Sequence, residues 1–441
     1  MFLWLKTLYR KRAVTWPFIF YTIIWTLSLI KEVFCRQIGV IHMSNLMDTF
    51  IKKYGLAGDI RVVKSPLRIC PIGAHSDYQG GRVTGMTLDA SVDMVYAPRE
   101  DNYVEIQSED FPDTELFSFG HDLEYIPGFW GSYIRGAVKA LQEDHVLKLG
   151  LNAVVSGKLP IGGLSSSAAV TTAYLMALCD VNNIEVSKMD IIMYSHWVET
   201  KFIGLKNGIL DQSANVLSMN NQLMLMDCLT NEYEMIDKGA DFKDFEVIVV
   251  YSGISKNLMG TDFNNRVEEV RVAGWLLLEL AGQPLPALED VKLRNIPIEI
   301  YNKYKDQLPD RFRKRAAHFY TEQERVLRGA EAYAKGDIKT FGQLMFESGN
   351  SSFYQQETGI PEMKLIFDIL QETEGVYGAR PSGAGFRGAV IGLIDPGKKD
   401  EIKAKIDAIY PEKFPAIKDV YEVNFCKTDD GARFVNVEDY R

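Results

Sequence analysis

Cysteine is scarce in this chain. Its 441 residues hold five, Cys35, Cys70, Cys179, Cys228 and Cys426, and no two form a Cys-x-x-Cys pair. That argues against a thiolate zinc site and a dithiol redox motif, and a sparse, odd count suits a reducing compartment. Excess positive charge is missing as well. The basic residues number 49 against 59 acidic ones, for a net charge of −10. A global footprint for nucleic acid is therefore absent, and phosphate groups would have to be met by local loops and placed cations. No internal repeat or low-complexity tract stands out.

What is present is the balance of a globular protein, with 46% hydrophobic and 24% charged residues. The length suggests roughly two or three domains. One long uncharged run stands apart, 13–30, rich in Trp, Phe and Ile and preceded by Lys6, Arg10, Lys11 and Arg12. It has the form of a signal-peptide core or a short membrane anchor. Positive charges ahead of it would stay inside and export the rest of the chain. The reading adopted is that residues 1–42 precede the natural start, and that Met43 opens a conventional polar helix.

Several elements can be read from pattern. Residues 59–65 and 151–156 read as strands, and 83–95 alternates partially, as sheet strands do. Residues 129–143 place Trp130, Tyr133, Ile134, Val138 and Leu141 at helical spacing. A Gly/Ser loop opens a helix running to Cys179, and 189–202 forms another. The chain turns polar at 239–245, which sets a boundary between domains 43–239 and 240–441. Beyond it, helices over 264–281, 311–334 and 363–372 mix with strands over 389–394 and 420–425. No regular βαβ repeat is present, so the class is α+β.

Four segments could carry chemistry. The first is Gly162-Gly163-Leu164-Ser165-Ser166-Ser167-Ala168-Ala169, between a strand and a helix. Glycines allow close backbone approach, and the free N–H groups of a helix start attract phosphate. Serine hydroxyls can cap, bond phosphate or bind Mg²⁺. An ordinary serine-capped helix explains the segment equally well. It is not the Gly-x-x-x-x-Gly-Lys-Ser/Thr loop, since no lysine follows the glycines. The second, Arg68 through Gly81, gathers Arg68, His75 and Asp77 on one short loop suited to hydroxyl recognition; a surface turn is the plainer account. The third, Gly378 through Gly388, holds four glycines, including Gly383 and Gly385, and ends in a hydrophobic strand. A plain turn explains it about as well. The fourth is the pair Glu199 and Asp211, which could divide metal binding and proton abstraction, or simply be solvated.

Together these segments resemble, in chain order, the signature motifs of the GHMP kinases, and most closely those of the galactokinase family. The stretches are SPLRICPIGAHSDYQGG, PIGGLSSSAA, ETKFIGLKNGILDQ and GARPSGAGFRG. The resemblance covers roughly Lys64 to the C-terminus and looks still closer to the galacturonokinase type, which shares ICPxGAH, WGxYxRGAV, NGILDQSA and GAGFRG. It implies a two-domain fold, with an N-terminal α/β domain, a ferredoxin-like C-terminal domain and the active site between them. It implies ATP and Mg²⁺, a sugar or uronic acid as substrate, a cytoplasmic setting and no membrane partner. Asp211 would be the base at the sugar O1 hydroxyl, with Arg68 beside it offsetting charge. Ser167 and Glu199 would hold Mg²⁺. The loop from Gly162 to Ala168, with Gly383 and Gly385, would cradle the phosphates, and Trp130 would line the adenine pocket. His75, Asp77 and Phe263 would face the sugar.

The departures bear on the substrate. Galactokinases carry Glu where Ala74 stands, Tyr where Phe263 stands and Gly where Arg387 stands, and the serine motif here is one residue shorter. The galactokinase Glu approaches the sugar's C6 hydroxyl and would repel a uronic acid. Ala74 removes that barrier, while Arg387 and Lys256 are candidate cations for the carboxylate. The expectation is a sugar 1-kinase acting on galacturonate. A galactokinase is the alternative, and a non-catalytic sugar sensor is a third reading that the presence of Arg68, Ser167, Glu199 and Asp211 speaks against.

Overall fold

The computed structural model describes residues 46–55, 59–159, 162–254, 261–386 and 388–440. The expectations for residues 1–42, Lys256 and Arg387 lie outside them. Strands β1 (Arg61–Ile69), β2 (Arg82–Arg99), β3 (Tyr103–Ser108), β4 (Thr114–Ser118), β5 (Gly150–Gly157), β6 (Gln222–Asp227) and β7 (Glu232–Asp237) build a first sheet. A second consists of β8 (Glu246–Tyr251), β9 (Val376–Pro381), β10 (Ala389–Ile394) and β11 (Glu422–Cys426). The chain then returns to the first sheet with β12 (Thr428–Asp429) and β13 (Arg433–Val435).

The first sheet runs β13-β1-β2-β5-β3-β4, with β6 and β12 on β2 and β7 on β6. Its pairs are antiparallel except β3 with β5. Strand β2 is its spine. Its 18 residues are buried almost throughout, which is why the apolar alternation over 83–95 is only partial. The helices, in chain order, are α1 (Leu46–Tyr54), α2 (Ser132–Gln142), α3 (Ser166–Val181), α4 (Lys188–Trp197), α5 (Leu210–Leu217), α6 (Phe263–Leu280), α7 (Ile298–Tyr304), α8 (Asp310–Lys335), α9 (Ile338–Ser351), α10 (Pro361–Gln371) and α11 (Lys399–Lys413). Helix α3 is apolar nearly all round, and such a helix belongs in a core. Ala169, Ala173, Leu175 and Leu178 are buried against the first sheet's Leu67, Met94 and Val155 within one cluster.

The second sheet has strand order β11-β8-β10-β9, all antiparallel, with helices α6 to α10 between β8 and β9 in the chain and α11 between β10 and β11. That is the ferredoxin-like arrangement, and the α+β class is as expected. Ile248, Val250 and Val390 of the sheet pack on Ile366 and Phe367 of α10 and Ile402 and Ile406 of α11.

Two local expectations are corrected. Helix α2 begins at Ser132, so Trp130 lies in the turn before it; Gly131 allows a close approach there, since a Cβ would sit 2.5 Å from the Phe129 ring. The helix expected over 189–202 changes pitch at Val198 into a π turn, Val198–Ile203, which carries Glu199. After the second sheet, β12 pairs with β2 and β13 with β1. Among the described residues, no helix is long and apolar enough to cross a membrane.

Candidate active site

Arg68 leaves β1 buried and spends its guanidinium on two motifs at once. Its Nε and Nη2 donate to Asp211 Oδ1 at 2.8 and 2.6 Å, and its Nη1 donates to the Gly163 carbonyl at 3.1 Å. Asp211 stands in the first turn of α5, where a carboxylate also meets the favourable end of the helix dipole. Its second oxygen accepts from the Ser165 hydroxyl. Ser165 stands at the cap position of α3 in a left-handed conformation, φ +56°, and no side chain caps that helix. A capping serine contributes about 1 kcal/mol to a helix. Here the hydroxyl serves Asp211 instead, and no side chain caps the N-terminal N–H groups of α3, the kind of site that can meet an anion.

The third glycine segment docks on the first. Gly163 has φ +83°, and a Cβ there would sit 2.9 Å from Ala389 N; one on Gly383 would sit 3.0 Å from Gly163 Cα. Backbone lies on backbone, which only glycines permit. Ser382 Oγ donates to the Gly163 carbonyl at 2.6 Å, locking the contact. Gly162 rests against Gly388 and Tyr251 in the same way.

Two cavities meet at Asp211. A cleft of about 910 Å³ is lined by Trp130, Phe111, Gly163, Ser165, Ser166, Ser167, Gly383 and Gly385, among others. Trp130 is half-buried, its ring near-parallel to Phe111 with centroids 6.4 Å apart. A smaller pocket of about 70 Å³ is lined by Ala74, His75, Asp77, Glu199 and Phe263. Arg68, Ser167, Asp211, Gly383 and Ala384 line both. Leu164 and Ala168 are buried beneath the loop, not on its wall. Phe263 stacks edge-on to Tyr78 at 6.2 Å and lies 6.4 Å from His75.

Glu199 is 1% exposed. Ser167 Oγ donates to one of its oxygens at 2.8 Å, and Gln212 Nε2 at 2.7 Å and Asn207 Nδ2 donate to the other. Mg²⁺ favours one or two carboxylates, a hydroxyl and the oxygens of a bound phosphate over an all-protein cage. The Ser167–Glu199 pair beside the phosphate-sized loop fits that donor set.

Known proteins bear on this geometry. The description "GHMP kinases N terminal domain" matches residues 132–218, and "GHMP kinases C terminal" matches 330–412. The galacturonokinase of Arabidopsis thaliana is 36% identical over 401 residues, covering 85% of this chain and 94% of its own. The chain belongs to the GHMP kinase family. A galactokinase from Chloroflexus aggregans is 30% identical over 370 residues, covering 84% of this GHMP kinase and 92% of its own length. The crystal structure of Lactococcus lactis galactokinase complexed with galactose superposes with a TM-score of 0.80 at 25% identity, covering 89% of this chain and 99% of that one.

Electrostatics in the small pocket of this GHMP kinase are tense. Burial, and then the charge of Asp211, push Glu199 up to about 7 and Asp77 up to about 6. Burial, and then His318, hold His75 well below the usual histidine range. A raised carboxyl binds its proton more tightly in the folded state. Its contribution is present at low pH and is lost as pH rises through the folded value. Glu199 and Asp77 therefore cost the ligand-free fold stability between about pH 4 and pH 7. The neutral histidines act in the opposite sense below about pH 6.5, so the clean observable is a difference. The wild-type Tm minus that of Glu199→Gln is expected to fall as pH rises from 5 to 7.5. A flat difference in thermal-shift scans would contradict the assigned burial of charge.

Some members of this site were missed in the sequence. Asn207 and Gln212 lie inside the KNGILDQ stretch and Ser382 inside the third glycine segment, where residue type alone gave them no role. Arg380, fully buried, donates to the Cys70 carbonyl at 2.8 Å and to Ser352 Oγ at 3.2 Å. Among the described residues it forms no ion pair. It falls within the third glycine segment, whose pattern gave no sign that its arginine would be buried.

Proposed function

We propose that this GHMP kinase transfers the γ-phosphoryl group of ATP to the anomeric hydroxyl of galacturonate, giving galacturonate 1-phosphate. One observation carries the reading: the Asp211 carboxylate, gripped by Arg68, stands where a nucleotide-sized cleft opens into a small polar pocket. A sugar in the small pocket would offer O1 to Asp211, and ATP in the cleft would bring its γ-phosphorus to the same point. Asp211 takes the O1 proton, the oxygen attacks phosphorus and ADP leaves. Arg68, bonded to both Asp211 and the Gly163 carbonyl, keeps the base aligned with the phosphate loop. Phosphoryl transfer asks mainly for such positioning and for charge neutralisation. Bound Mg²⁺, held by Ser167 and Glu199, would supply part of that neutralisation at the phosphate oxygens.

Galacturonate is favoured over galactose by three considerations. Ala74 leaves the pocket wall without the carboxylate that a galactokinase carries there. Arg380, buried and bonded to the carbonyl of pocket-lining Cys70, adds positive charge behind that wall without lining it. The similarity to the Arabidopsis galacturonokinase extends over most of both chains. The galactokinase reading draws on the likeness to the galactose-bound Lactococcus lactis structure.

The test is a panel of aldoses and uronic acids with Mg-ATP, the product mapped by phosphorus NMR. Galacturonate is expected to give the highest kcat/KM, with the phosphate on the anomeric oxygen. A higher kcat/KM for galactose would turn the assignment to galactokinase. ATP binding without turnover on any sugar would leave a sensor.

A further inference from the structure

Helix α8 buries a polar stripe that the chemistry above does not use. Arg315, His318, Glu322 and Arg325 recur at helical spacing and are all buried. Unpartnered, such groups would cost several kcal/mol each, so what they hold is informative. His318 Nε2 lies 3.0 Å from the Ala74 carbonyl. A carbonyl brings no proton, so Nε2 carries it and donates. The Ser351 hydroxyl stands 2.7 Å from Nδ1 and completes the ring's partners. Glu322 Oε1 accepts from the Gly73 N–H and from Ser348 Oγ, both at 2.6 Å, and its Oε2 accepts from Arg325 Nε at 2.7 Å. Gln323, next along, brackets Arg82, accepting from its N–H at 2.7 Å and donating to its carbonyl at 3.1 Å.

Directly after those held peptide groups comes His75, at φ +65°. A side chain in the left-handed region costs on the order of 1 kcal/mol or more, and persists where the surroundings over-determine it. The two residues that fix the approach to His75, Gly73 and Ala74, are both held by α8, from more than 240 positions away in sequence.

We propose that His318 and Glu322 are positioning residues for the sugar: they clamp residues 73–75, so that His75 and the Ala74 wall present a fixed shape to the small pocket. The inference rests on that pocket being the sugar subsite. It predicts a split between substrates, because nothing in the clamp touches the nucleotide cleft. In steady-state assays, His318→Leu is expected to raise the KM for galacturonate by about tenfold or more, since small misplacements cost that much, while the KM for ATP stays within about twofold. His318→Gln, whose amide can donate to the Ala74 carbonyl, should recover most of the loss. Equal rises in both KM values, or a Gln variant as poor as the Leu variant, would overturn the proposal. Should His318→Leu not fold, Ser351→Ala loosens the same ring and should show the split at about threefold; no split there would likewise overturn it. Wild-type turnover without any split removes this inference alone, whereas no wild-type turnover on any sugar removes the functional reading with it.

Discussion

Replacing Asp211 by Asn is expected to reduce kcat by about a hundredfold to ten-thousandfold, the range that a lost general base commands, with ATP affinity nearly unchanged. The change is nearly isosteric. The Asn side-chain carbonyl can still accept from Arg68 Nε and Nη2, so the guanidinium keeps its place and its bond to the Gly163 carbonyl. The amide nitrogen then faces the Ser165 hydroxyl, which must turn its proton elsewhere. What is lost is the group that takes the O1 proton. Nucleotide titration by calorimetry separates this from damage to the phosphate loop, and single-turnover measurements isolate the chemical step. A variant that keeps more than about a tenth of wild-type kcat would assign the rate to Arg68 and phosphate positioning instead.

The second large effect concerns the sugar. Ala74→Glu is expected to lower kcat/KM for galacturonate by about a thousandfold. A new carboxylate about 4 Å from the substrate's own costs roughly 4 kcal/mol at an effective dielectric near 20, and each 1.36 kcal/mol is tenfold in rate. The position tolerates the change in one respect: the main-chain carbonyl of residue 74 keeps its bond to His318, while the side chain opens on the pocket that also holds Asp77. Bulk and charge can be told apart with Ala74→Gln, which adds the same volume without the charge. If Gln costs as much as Glu, repulsion is not the cause. Galactose turnover should hold or rise in the Glu variant, because a neutral hydroxymethyl group can donate to the new carboxylate.

The sequence made the contiguous parts of the site legible and left the long-range ones hidden. Arg68, Ser165, Ser167, Glu199 and Asp211 sit in short stretches that could carry phosphate, metal and proton chemistry and that drew their roles from resembling the GHMP kinase motifs in chain order, and the fold brings them together. Strand β10 was readable because it is a run of apolar residues bounded by glycine and proline, whereas the ferredoxin-like arrangement came only from the family resemblance. The π turn at Val198–Ile203 was not readable, since nothing in the apolar spacing distinguishes it from a continued helix. Nor were the partners of Glu322. Its bond to Gly73 spans 249 positions, and periodicity in one helix is silent about which distant loop lies across from it. Trp130 fell outside α2 because apolar spacing overran the true start at Ser132.

The return of β12 and β13 to the first sheet bears on how the polypeptide is made. Val62 pairs with Val435, and Lys64 with Arg433, so one margin of β1 stays open until residues that follow the whole second sheet are available. The ribosome emits those residues after β11, the last strand of the second sheet. The N-terminal layer, although nearly all of its strands are synthesised early, must wait with an unpaired edge while the whole second sheet is translated. An open strand margin is a template for wrong partners. Its nascent form is therefore the stage at which chaperone attendance would matter most, and completion of the first sheet waits on translation of the second.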